Sequence, residues 1–344
     1  MKIALCSSFV PFIQGGYRNI VDWLAINLQA AGHKVEKIYL PQVDNPHSLS
    51  QQMIAYRWID LDVADRVICF RPQAHLICHP HKIIWFIHHI RIFYDLWDSS
   101  YRSFPDNFEN RGIRDALFSI DNYGLREAKS IFTNSRVVSE RLKKYNDIDS
   151  EILYPPVFQP ERFYSQGFNN EIVYICRLEH HKRQHLLIEA MRYVKSPVRL
   201  RLAGASSGHI YYNEINQKIQ EFQLQDRVTL DNRWISEQEK IDLLANCLAA
   251  AYIPFDEDSY GYPSIEASHA KKPILTTSDS GGVLELVEND INGYVAAPYP
   301  EALAERIDQL YTDTNKTITM GENAAIKLVK MNISWSNVLE KLLA

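Results

Sequence analysis

Several features are scarce or missing in this sequence, and their absence excludes broad classes of protein. No run approaches the roughly 18 consecutive apolar residues of a membrane span. The net charge is only −5 over 344 residues, which gives no electrostatic footprint for a nucleic-acid partner. The five cysteines are odd in number and widely scattered, so they favour buried free thiols in a reducing cytoplasm over a disulfide framework. The opening residues, MKIALCSS, lead directly into a strand-like pattern, and we expect no signal peptide.

Two common kinds of ligand motif are also missing. The Gly-x-Gly-x-x-Gly fingerprint of dinucleotide-binding proteins occurs nowhere in the chain. The segment 75–81 contains His75, Cys78, His79 and His81, but this spacing matches no standard zinc site. We therefore predict no metal ion and no tightly bound cofactor.

The composition is that of a soluble globular protein, with 46% hydrophobic and 23% charged residues. A chain of 344 residues fits two domains of ordinary size. The segment LYPPV at 153–157 interrupts the regular patterns and is typical of a linker. We therefore place the first domain at 1–157 and the second at 158–325, with a terminal helical segment at 326–344.

Strand and helix patterns alternate in both halves, which predicts an α/β fold with parallel, doubly wound sheets. In such sheets ligands bind beyond the carboxyl ends of the strands, and with two such domains the cleft between them is the expected site. The predicted strands are 2–7, 34–40, 66–70, 82–88, 130–134, 171–176, 198–203, 227–230, 247–254 and 273–277. The predicted helices are 17–31, 120–129, 183–194, 236–246, 263–270, 301–310, 318–329 and 334–343.

The most informative stretch is 255–293, FDEDSYGYPSIEASHAKKPILTTSDSGGVLELVENDING. Its acidic cluster at 256–258 leads through Tyr260, Gly261 and Tyr262 to Pro263, which suits the first turn of a helix, and Glu266 lies one turn further. Helix N-termini bind anions, and carboxylates accept hydrogen bonds from hydroxyls. A ligand rich in both phosphate and hydroxyl groups is a sugar nucleotide.

This stretch resembles the signature of the GT4 family of glycosyltransferases. That family carries a Glu, seven intervening residues and a second Glu, with a Gly three residues after the first acid. Asp258 and Glu266 have this spacing, and Gly261 is in register. Glu257 takes the first position instead if Ser259 is a one-residue insertion, so both acids remain candidates.

The order of the following motifs is also similar to that family. A short strand is followed by Gly281, Gly282 and Glu285, which either belong to the site or only shape the next helix. The resemblance implies the GT-B fold, in which two Rossmann-like domains face each other across a cleft. It implies that 1–157 is the acceptor domain, that 158–325 binds the nucleotide-sugar donor, and that 326–344 crosses back to the first domain.

Two basic residues follow the predicted strand 171–176. Arg177 and Lys182 are five residues apart, as are an Arg and a Lys in this loop of GT4 enzymes. The leaving group of a sugar nucleotide is a diphosphate that gains negative charge as the glycosidic bond breaks. Arg provides a bidentate fork and Lys a point charge, so both can stabilise this charge without a metal. The alternative for either residue is a solvated basic turn.

Further candidates lie in the first half of the chain. Gly15 and Gly16 occupy the first turn after a strand, where a close backbone approach to the donor is possible. The resemblance assigns His88 to the transferred sugar. His89, Arg91, Tyr94, Asn134 and Ser135 are possible sugar or acceptor contacts, although Asn and Ser at such a position are also common helix caps.

The complete predicted site combines these motifs. The predicted catalytic residues are His88, Arg177, Lys182, Asp258 and Glu266. The predicted donor-binding residues are Gly15, Gly16, Arg177, Lys182, Glu257, Asp258, Tyr260, Gly261, Tyr262, Pro263, Ser264 and Glu266.

The resemblance implies a retaining, metal-independent hexosyltransferase that uses a nucleotide-diphosphate sugar, with UDP- and GDP-sugars as the first candidates. The implied acceptor is a saccharide or a lipid-linked saccharide in bacterial surface polysaccharide synthesis. We expect a cytoplasmic protein, with peripheral contact at the inner face of the membrane if the acceptor is lipid-linked. Two alternatives stay open: a GT-B sugar-nucleotide epimerase, and a non-catalytic protein that binds sugar nucleotides.

Overall fold

The computed structural model describes residues 1–11, 16–42, 45–99 and 102–344. These residues form two compact units, one made of Met1–Pro155 with Ile333–Ala344 and the other of Pro156–Asn332. Each unit is built on one six-stranded sheet, and the strand pairings in both sheets are parallel. The α/β architecture predicted from the alternating patterns is therefore confirmed. Among the described residues, no helix has the length and apolar character needed to cross a membrane.

The first unit has the strand order β2-β1-β3-β4-β5-β6. Its elements in chain order are β1 (Lys2–Phe9), α1 (Gly16–Ala30), β2 (Lys34–Pro41), α2 (Leu49–Arg57), β3 (Arg66–Cys69), β4 (Lys82–Phe86), α3 (Phe108–Arg126), β5 (Ser130–Thr133), α4 (Arg136–Asn146) and β6 (Glu151–Ile152).

The second unit has the strand order β12-β11-β10-β7-β8-β9. Its elements are β7 (Glu171–Ile175), α5 (Gln184–Ala190), β8 (Arg199–Ala203), α6 (His209–Glu221), β9 (Val228–Asp231), α7 (Glu237–Asn246), β10 (Ala249–Ala251), α8 (Tyr262–His269), β11 (Ile274–Thr277), α9 (Val283–Leu286), β12 (Gly293–Ala296), α10 (Pro300–Thr312) and α11 (Thr314–Lys330). The last helix, α12 (Trp335–Leu343), belongs to the first unit and packs against α1.

The central strands are buried on both faces, as expected for parallel sheets covered by helices on both sides. In β1 the six residues from 3 to 8 are all buried. An apolar cluster joins β3 and β4 to α3 and α4 through residues that include Val67, Ile84, Phe86, Leu117 and Leu142. The strands β7, β10 and β11 of the second unit are likewise almost entirely buried, so polar side chains at the strand ends of both sheets are held by well-packed elements.

Several predicted elements differ from those observed. The predicted strand 247–254 shrinks to Ala249–Ala251, although the flanking Leu248 and Tyr252 amides still donate hydrogen bonds to the Glu171 and Leu275 carbonyls of the neighbouring strands. Helix α3 begins at Phe108 rather than at residue 120, since the Asn107 side chain accepts a hydrogen bond from the Asn110 amide and caps an early start. Helix α6 was missed because its sequence is largely polar and Gly208 provides no side-chain cap.

Candidate active site

The sheet of the second unit has its topological switch point between β7 and β10, where the strand order reverses direction. Ligands of doubly wound sheets bind beyond the carboxyl ends of the strands at this point. The loop after β7 carries Arg177 and Lys182, and the loop after β10 carries Glu257 and Asp258. The chain topology thus brings the predicted basic and acidic motifs to one edge of one sheet.

Lys182, Tyr252 and Glu257 form the centre of this edge. The Lys182 ammonium donates a hydrogen bond of 2.9 Å to the Tyr252 hydroxyl and pairs with the Glu257 carboxylate. The Tyr252 hydroxyl donates to the same carboxylate at 3.2 Å. Burial alone would lower the pKa of Lys182, but the adjacent Glu257 carboxylate raises this pKa above its usual range. Lys182 is therefore a fixed cation although it is only 8% exposed.

A residue that the sequence reasoning missed, Arg183, holds the surrounding loops together. Its guanidinium donates to the carbonyls of Ile253 and Pro254 at 2.8 and 2.7 Å. It also forms two 2.8 Å hydrogen bonds to the carboxylate of Asp279, which follows β11. This bidentate pairing is the geometry that distinguishes Arg from Lys. One side chain thereby ties the loop after β7 to the loops after β10 and β11, and it fixes the position of the neighbouring Lys182.

Gly261 allows the acidic loop to pack against the Tyr252 ring. Its φ of +68° is a conformation that residues with side chains rarely adopt. A Cβ atom at this position would lie 2.3 Å from Cε1 of Tyr252. Gly261 therefore serves both the backbone turn into α8 and the placement of the tyrosine that contacts Lys182.

Gly281 and Gly282 contact the backbone of the loop that carries the acidic residues 256–258. A Cβ on Gly281 would lie 2.4 Å from the carbonyl oxygen of Glu257, and one on Gly282 would lie 2.6 Å from Cα of Ser259. The Gly282 amide donates to the Glu257 carbonyl at 2.8 Å. These glycines thus do more than shape α9, because they let the backbone of 257–259 approach closely.

Glu266 lies in α8, whose first turn contains Pro263 as expected from the sequence. Its carboxylate is buried and accepts a 2.6 Å hydrogen bond from the ammonium of Lys240 on α7. Burial raises the pKa of Glu266, and Lys240 opposes that rise. Lys240 was also missed in the sequence. The helix predicted at 236–246 begins with a side-chain cap, because the Ser236 hydroxyl accepts from the Glu239 amide at 3.1 Å.

The remaining predicted residues of the second unit surround this centre. Arg177 is partly exposed, and its guanidinium lies 3.4 Å from the Glu179 carboxylate. Tyr260 is buried, and Tyr262 is the first residue of α8. The hydroxyl of Ser264 is buried and has no hydrogen-bond partner within the described part of the chain. Ser264 therefore retains hydrogen-bonding capacity at the start of α8.

In the first unit, His88 follows β4. Its Nδ1 lies 2.5 Å from the His89 carbonyl, and Arg71 donates to its Nε2 at 3.2 Å. The proton of the neutral ring is therefore on Nδ1. Burial, together with the nearby Arg71 cation, lowers the pKa of His88 to about 3. His88 is thus neutral at physiological pH, and Arg71 is its immediate cationic neighbour, which the sequence reasoning missed.

His89 and Tyr94 lie inside the core of the first unit. His89 Nε2 is 2.8 Å from the Asn146 side-chain oxygen, and its ring lies 4.2 Å from that of Tyr94. The Tyr94 hydroxyl donates to buried Asp121 at 2.6 Å. Both side chains are about as buried as the apolar core, so the predicted role as acceptor contacts is not favoured for them.

The other candidates of the first unit have varied surroundings. Arg91 pairs with Asp95 at 2.7 Å. Asn134 is buried, and its side-chain oxygen has no partner among the described residues, whereas the Ser135 hydroxyl caps α4 by accepting from the Val138 amide at 3.1 Å. Ser135 therefore has the capping role considered in the sequence. Gly15 lies outside the described residues, and Gly16 is the first residue of α1.

The histidine-rich segment 75–81 is explained by internal contacts. His75 Nε2 lies 2.9 Å from the Asp121 carboxylate, and His79 Nε2 lies 3.1 Å from the Ala64 carbonyl. Cys78 is exposed and forms no disulfide. His75 thus belongs to the same buried polar network as Tyr94.

Comparison with known proteins relates this site to one family. Residues 159–327, which include both loops of the switch point, match the family described as Glycosyl transferases group 1. The Alpha-1,3/1,6-mannosyltransferase ALG2 of Homo sapiens is 27% identical over 289 residues, which cover 76% of this chain and 67% of that protein.

Solved structures share the fold at low sequence identity. The structure of Anabaena HepE in complex with UDP and glucose superposes with a TM-score of 0.72 at 18% identity, over 98% of this chain and 99% of that one. Sucrose-phosphate synthase from Thermosynechococcus elongatus has a TM-score of 0.78 at 16% identity, over 98% and 97% of the two chains. These similarities confirm that the two sheets form the predicted GT-B fold.

Proposed function

Because this chain belongs to the group 1 glycosyltransferases, we propose that it transfers a hexose from a nucleoside-diphosphate sugar to a saccharide or lipid-linked saccharide acceptor. The observation that carries the proposal is the convergence of Lys182, Tyr252 and Glu257 at the switch point of the matched domain. A buried cation there suits a diphosphate, and carboxylates beside it suit the hydroxyls of a sugar. A sugar nucleotide contains both a diphosphate and sugar hydroxyls.

Donor binding in this proposal requires Lys182 to exchange partners. Its ammonium contacts Glu257 in the structure, and the donor diphosphate would take the place of that carboxylate. Tyr252 stays beside the ammonium during the exchange, since its hydroxyl bonds both partners. Arg177 is partly exposed in the same loop and provides the second cation.

We assign the sugar and ribose contacts to the acidic residues. Asp258 has the spacing expected for the acid that binds sugar hydroxyls, and Glu266 that expected for the ribose. Lys240 holds the Glu266 carboxylate in place at 2.6 Å. His88, neutral because of its lowered pKa, would accept a hydrogen bond at Nε2 from a hydroxyl of the transferred sugar, in exchange for the one from Arg71, without adding charge.

The proposed reaction retains the anomeric configuration and needs no metal. The two cations stabilise the departing diphosphate, and the phosphate of the donor itself helps to remove the proton of the acceptor hydroxyl. Mannose is the first candidate for the transferred sugar, because the relative named a mannosyltransferase aligns over 76% of this chain. Glucose is the second, because a structural neighbour was solved with UDP and glucose. A role in surface polysaccharide synthesis, in the cytoplasm or at the inner face of the membrane, fits such an acceptor.

A thermal-shift panel of UDP-, GDP- and dTDP-sugars tests the donor class. A ligand at a hundred times its dissociation constant adds about 2.7 kcal/mol to the free energy of unfolding, which gives a visible shift. We expect one nucleotide to stabilise the protein and its sugar conjugate to be cleaved slowly, with release of the nucleoside diphosphate. A protein that no donor stabilises would contradict the proposal, and binding without any transfer or cleavage would indicate a non-catalytic binding protein.

A further inference from the structure

Three side chains with metal-ligating atoms meet at a place that the proposed reaction does not use. His180 lies in the turn before α5, His185 lies in α5 and Glu214 lies in α6. Their ligating nitrogen and oxygen atoms all lie within 4.8 Å of one another. Among the residues that the structure describes, this is the one group of three or more such side chains that converges in this way.

The surroundings of the group favour a cation. The rings of His180 and His185 are stacked, with centroids 5.1 Å apart and planes inclined by 29°. Within the described chain no hydrogen bond or ion pair engages the Glu214 carboxylate, whereas the nearby Lys218 ammonium is held by Glu189 at 2.8 Å. An acidic group is thus left beside two imidazoles while the local basic group is occupied elsewhere.

One histidine is already oriented for coordination. The Tyr211 hydroxyl lies 3.0 Å from Nδ1 of His185 and also accepts a hydrogen bond from the His185 amide at 3.1 Å. A metal-bound histidine commonly donates from its second nitrogen to such an oxygen, which fixes the ring and raises its basicity. Nδ1 of His185 can therefore donate to Tyr211 while Nε2 binds a metal.

We propose that His180, His185 and Glu214 form a peripheral site for a divalent transition-metal ion, with Zn²⁺ as the preferred ion. Two imidazoles and one carboxylate are ligands that Zn²⁺ accepts, with water in the fourth position. In a tetrahedral site with bonds of about 2.1 Å, the ligand atoms are about 3.4 Å apart. His180 is exposed on a short turn, so its ring can close the remaining distance.

The proposed metal site adjoins the turn that ends in Lys182, so a bound metal would affect the candidate active site. His180 opens the single turn His180–Lys182, which ends in the lysine at the centre of the candidate active site. A bound ion would join this turn to α5 and α6 and so restrict the movement of Lys182. The inference does not depend on the proposed reaction, because binding of the metal can be measured without any substrate.

Titration calorimetry with ZnCl₂ tests the site on the full chain, prepared without a polyhistidine tag and stripped with a chelator. We expect one Zn²⁺ per chain and a higher thermal midpoint in its presence. Affinity should fall at least tenfold in His185→Ala and in Glu214→Gln, of which the second preserves the shape of the side chain. Substitution of Co²⁺ should give the absorption bands of a tetrahedral complex in the wild type and not in these variants.

The matched control is His209→Ala, which removes an exposed histidine from the first turn of the same helix that carries Glu214. This variant should bind Zn²⁺ as the wild type does. The proposal is overturned if no stoichiometric binding is seen, if Glu214→Gln and His185→Ala bind as tightly as the wild type, or if His209→Ala weakens binding equally.

Discussion

At the scale of single residues, the Lys182–Glu257 ion pair decides how the candidate site is charged before a donor arrives. Lys182 is 8% exposed, so a solvated alternative for this basic residue is excluded by its burial. Its ammonium is neutralised by a carboxylate from a loop 75 residues further along the chain. The site therefore keeps a buried cation that is paired with a carboxylate. An unpaired buried charge would cost several kcal/mol.

Replacing Lys182 by Ala should reduce kcat/KM for the donor at least about tenfold, because a charge-assisted hydrogen bond contributes roughly 1.5–3 kcal/mol. Steady-state kinetics with the donor found in the thermal-shift panel checks this expectation. Lys195→Ala is the matched control, since Lys195 is an exposed lysine of the same unit. Wild-type turnover in Lys182→Ala, or an equal loss in the control, would remove Lys182 from the diphosphate contact.

Asp258→Asn should impair the reaction more than Glu257→Gln. Asp258 has the spacing of the sugar-binding acid, so loss of its charge should lower kcat/KM at least about tenfold. Glu257 shields Lys182 in the structure, so its neutralisation should leave the donor KM unchanged or lower it. Kinetics of the two variants side by side decide the order. A larger loss in Glu257→Gln would transfer the sugar contact to Glu257.

At the scale of elements, the loops that follow β7, β10 and β11 are joined to one another by hydrogen bonds. Arg183 bonds two of the other loops with its guanidinium, and backbone hydrogen bonds join Phe255 to His181 at 2.8 Å and Asp256 to Asp279 at 2.9 Å. Helices α7 and α8 are joined by the Lys240–Glu266 pair in the same way. Side chains at the start of α8 are thereby placed by several elements rather than by one flexible loop.

Gly261→Ala should destabilise the second unit by at least about 2 kcal/mol, because a positive φ strains any other residue and the new methyl group overlaps Tyr252. Activity should fall with it, since Tyr252 contacts Lys182. Urea denaturation provides the measurement. Gly208→Ala is the control, because Gly208 has an extended backbone and no atom within 4 Å of the added Cβ. Equal stability of the two variants would argue against strain at Gly261.

At the scale of the whole molecule, the two units have the same construction, a parallel six-stranded sheet with a switch point beside its first strand. In the second unit this point lies between β7 and β10, and in the first between β1 and β3. This topology places the loops that carry Lys182 and Glu257 next to each other in the second unit. Histidines that are buried or half-buried in the two units add a property of the molecule as a whole, which is the response of its stability to acid.

Because of four histidines, the free energy of unfolding should already fall as the pH is lowered from 6.5 towards 5. Burial lowers the pKa of His88 to about 3 and those of His89, His181 and His269 to about 4, from an ordinary value of 6.5. Below pH 6.5 the unfolded chain binds protons that the folded chain does not, so the stability present above this pH is lost as the pH falls towards 4. Glu266, with a raised pKa, opposes this trend, whereas burial also lowers the pKa of a fifth histidine, His185, and so adds to it.

We expect the free energy of unfolding to fall by at least about 3 kcal/mol between pH 7 and pH 5, after allowance for partial exposure of three of the four rings. Urea titrations at constant ionic strength measure it. His269→Asn, which removes one of the four groups, should reduce the fall. A urea midpoint that is constant over this range would contradict the burial argument.

Features of the structure that depend on residues close in the chain agree with the predictions from sequence, and features that depend on distant residues agree less well. The alternation of strands and helices, the helix cap at Ser236 and the Pro263 start of α8 depend on residues close in the chain, and they were predictable. Among the helices, α2, α4 and α6 were not predicted, and α3 was predicted to begin at residue 120 instead of Phe108. The cores that bury His89 and Tyr94 arise from packing of distant segments, so their removal from the surface was not visible in the sequence.

The sequence by itself therefore determined the α/β class, the order of the motifs and their position after strands, because spacing and local propensity encode these properties. Only the tertiary structure decided which charges meet. Lys182 pairs with Glu257 across 75 positions, Arg183 with Asp279 across 96 and Lys240 with Glu266 across 26. Such pairs depend on how parallel strands are ordered in a sheet and how helices pack upon it, and no local pattern in the chain specifies that order.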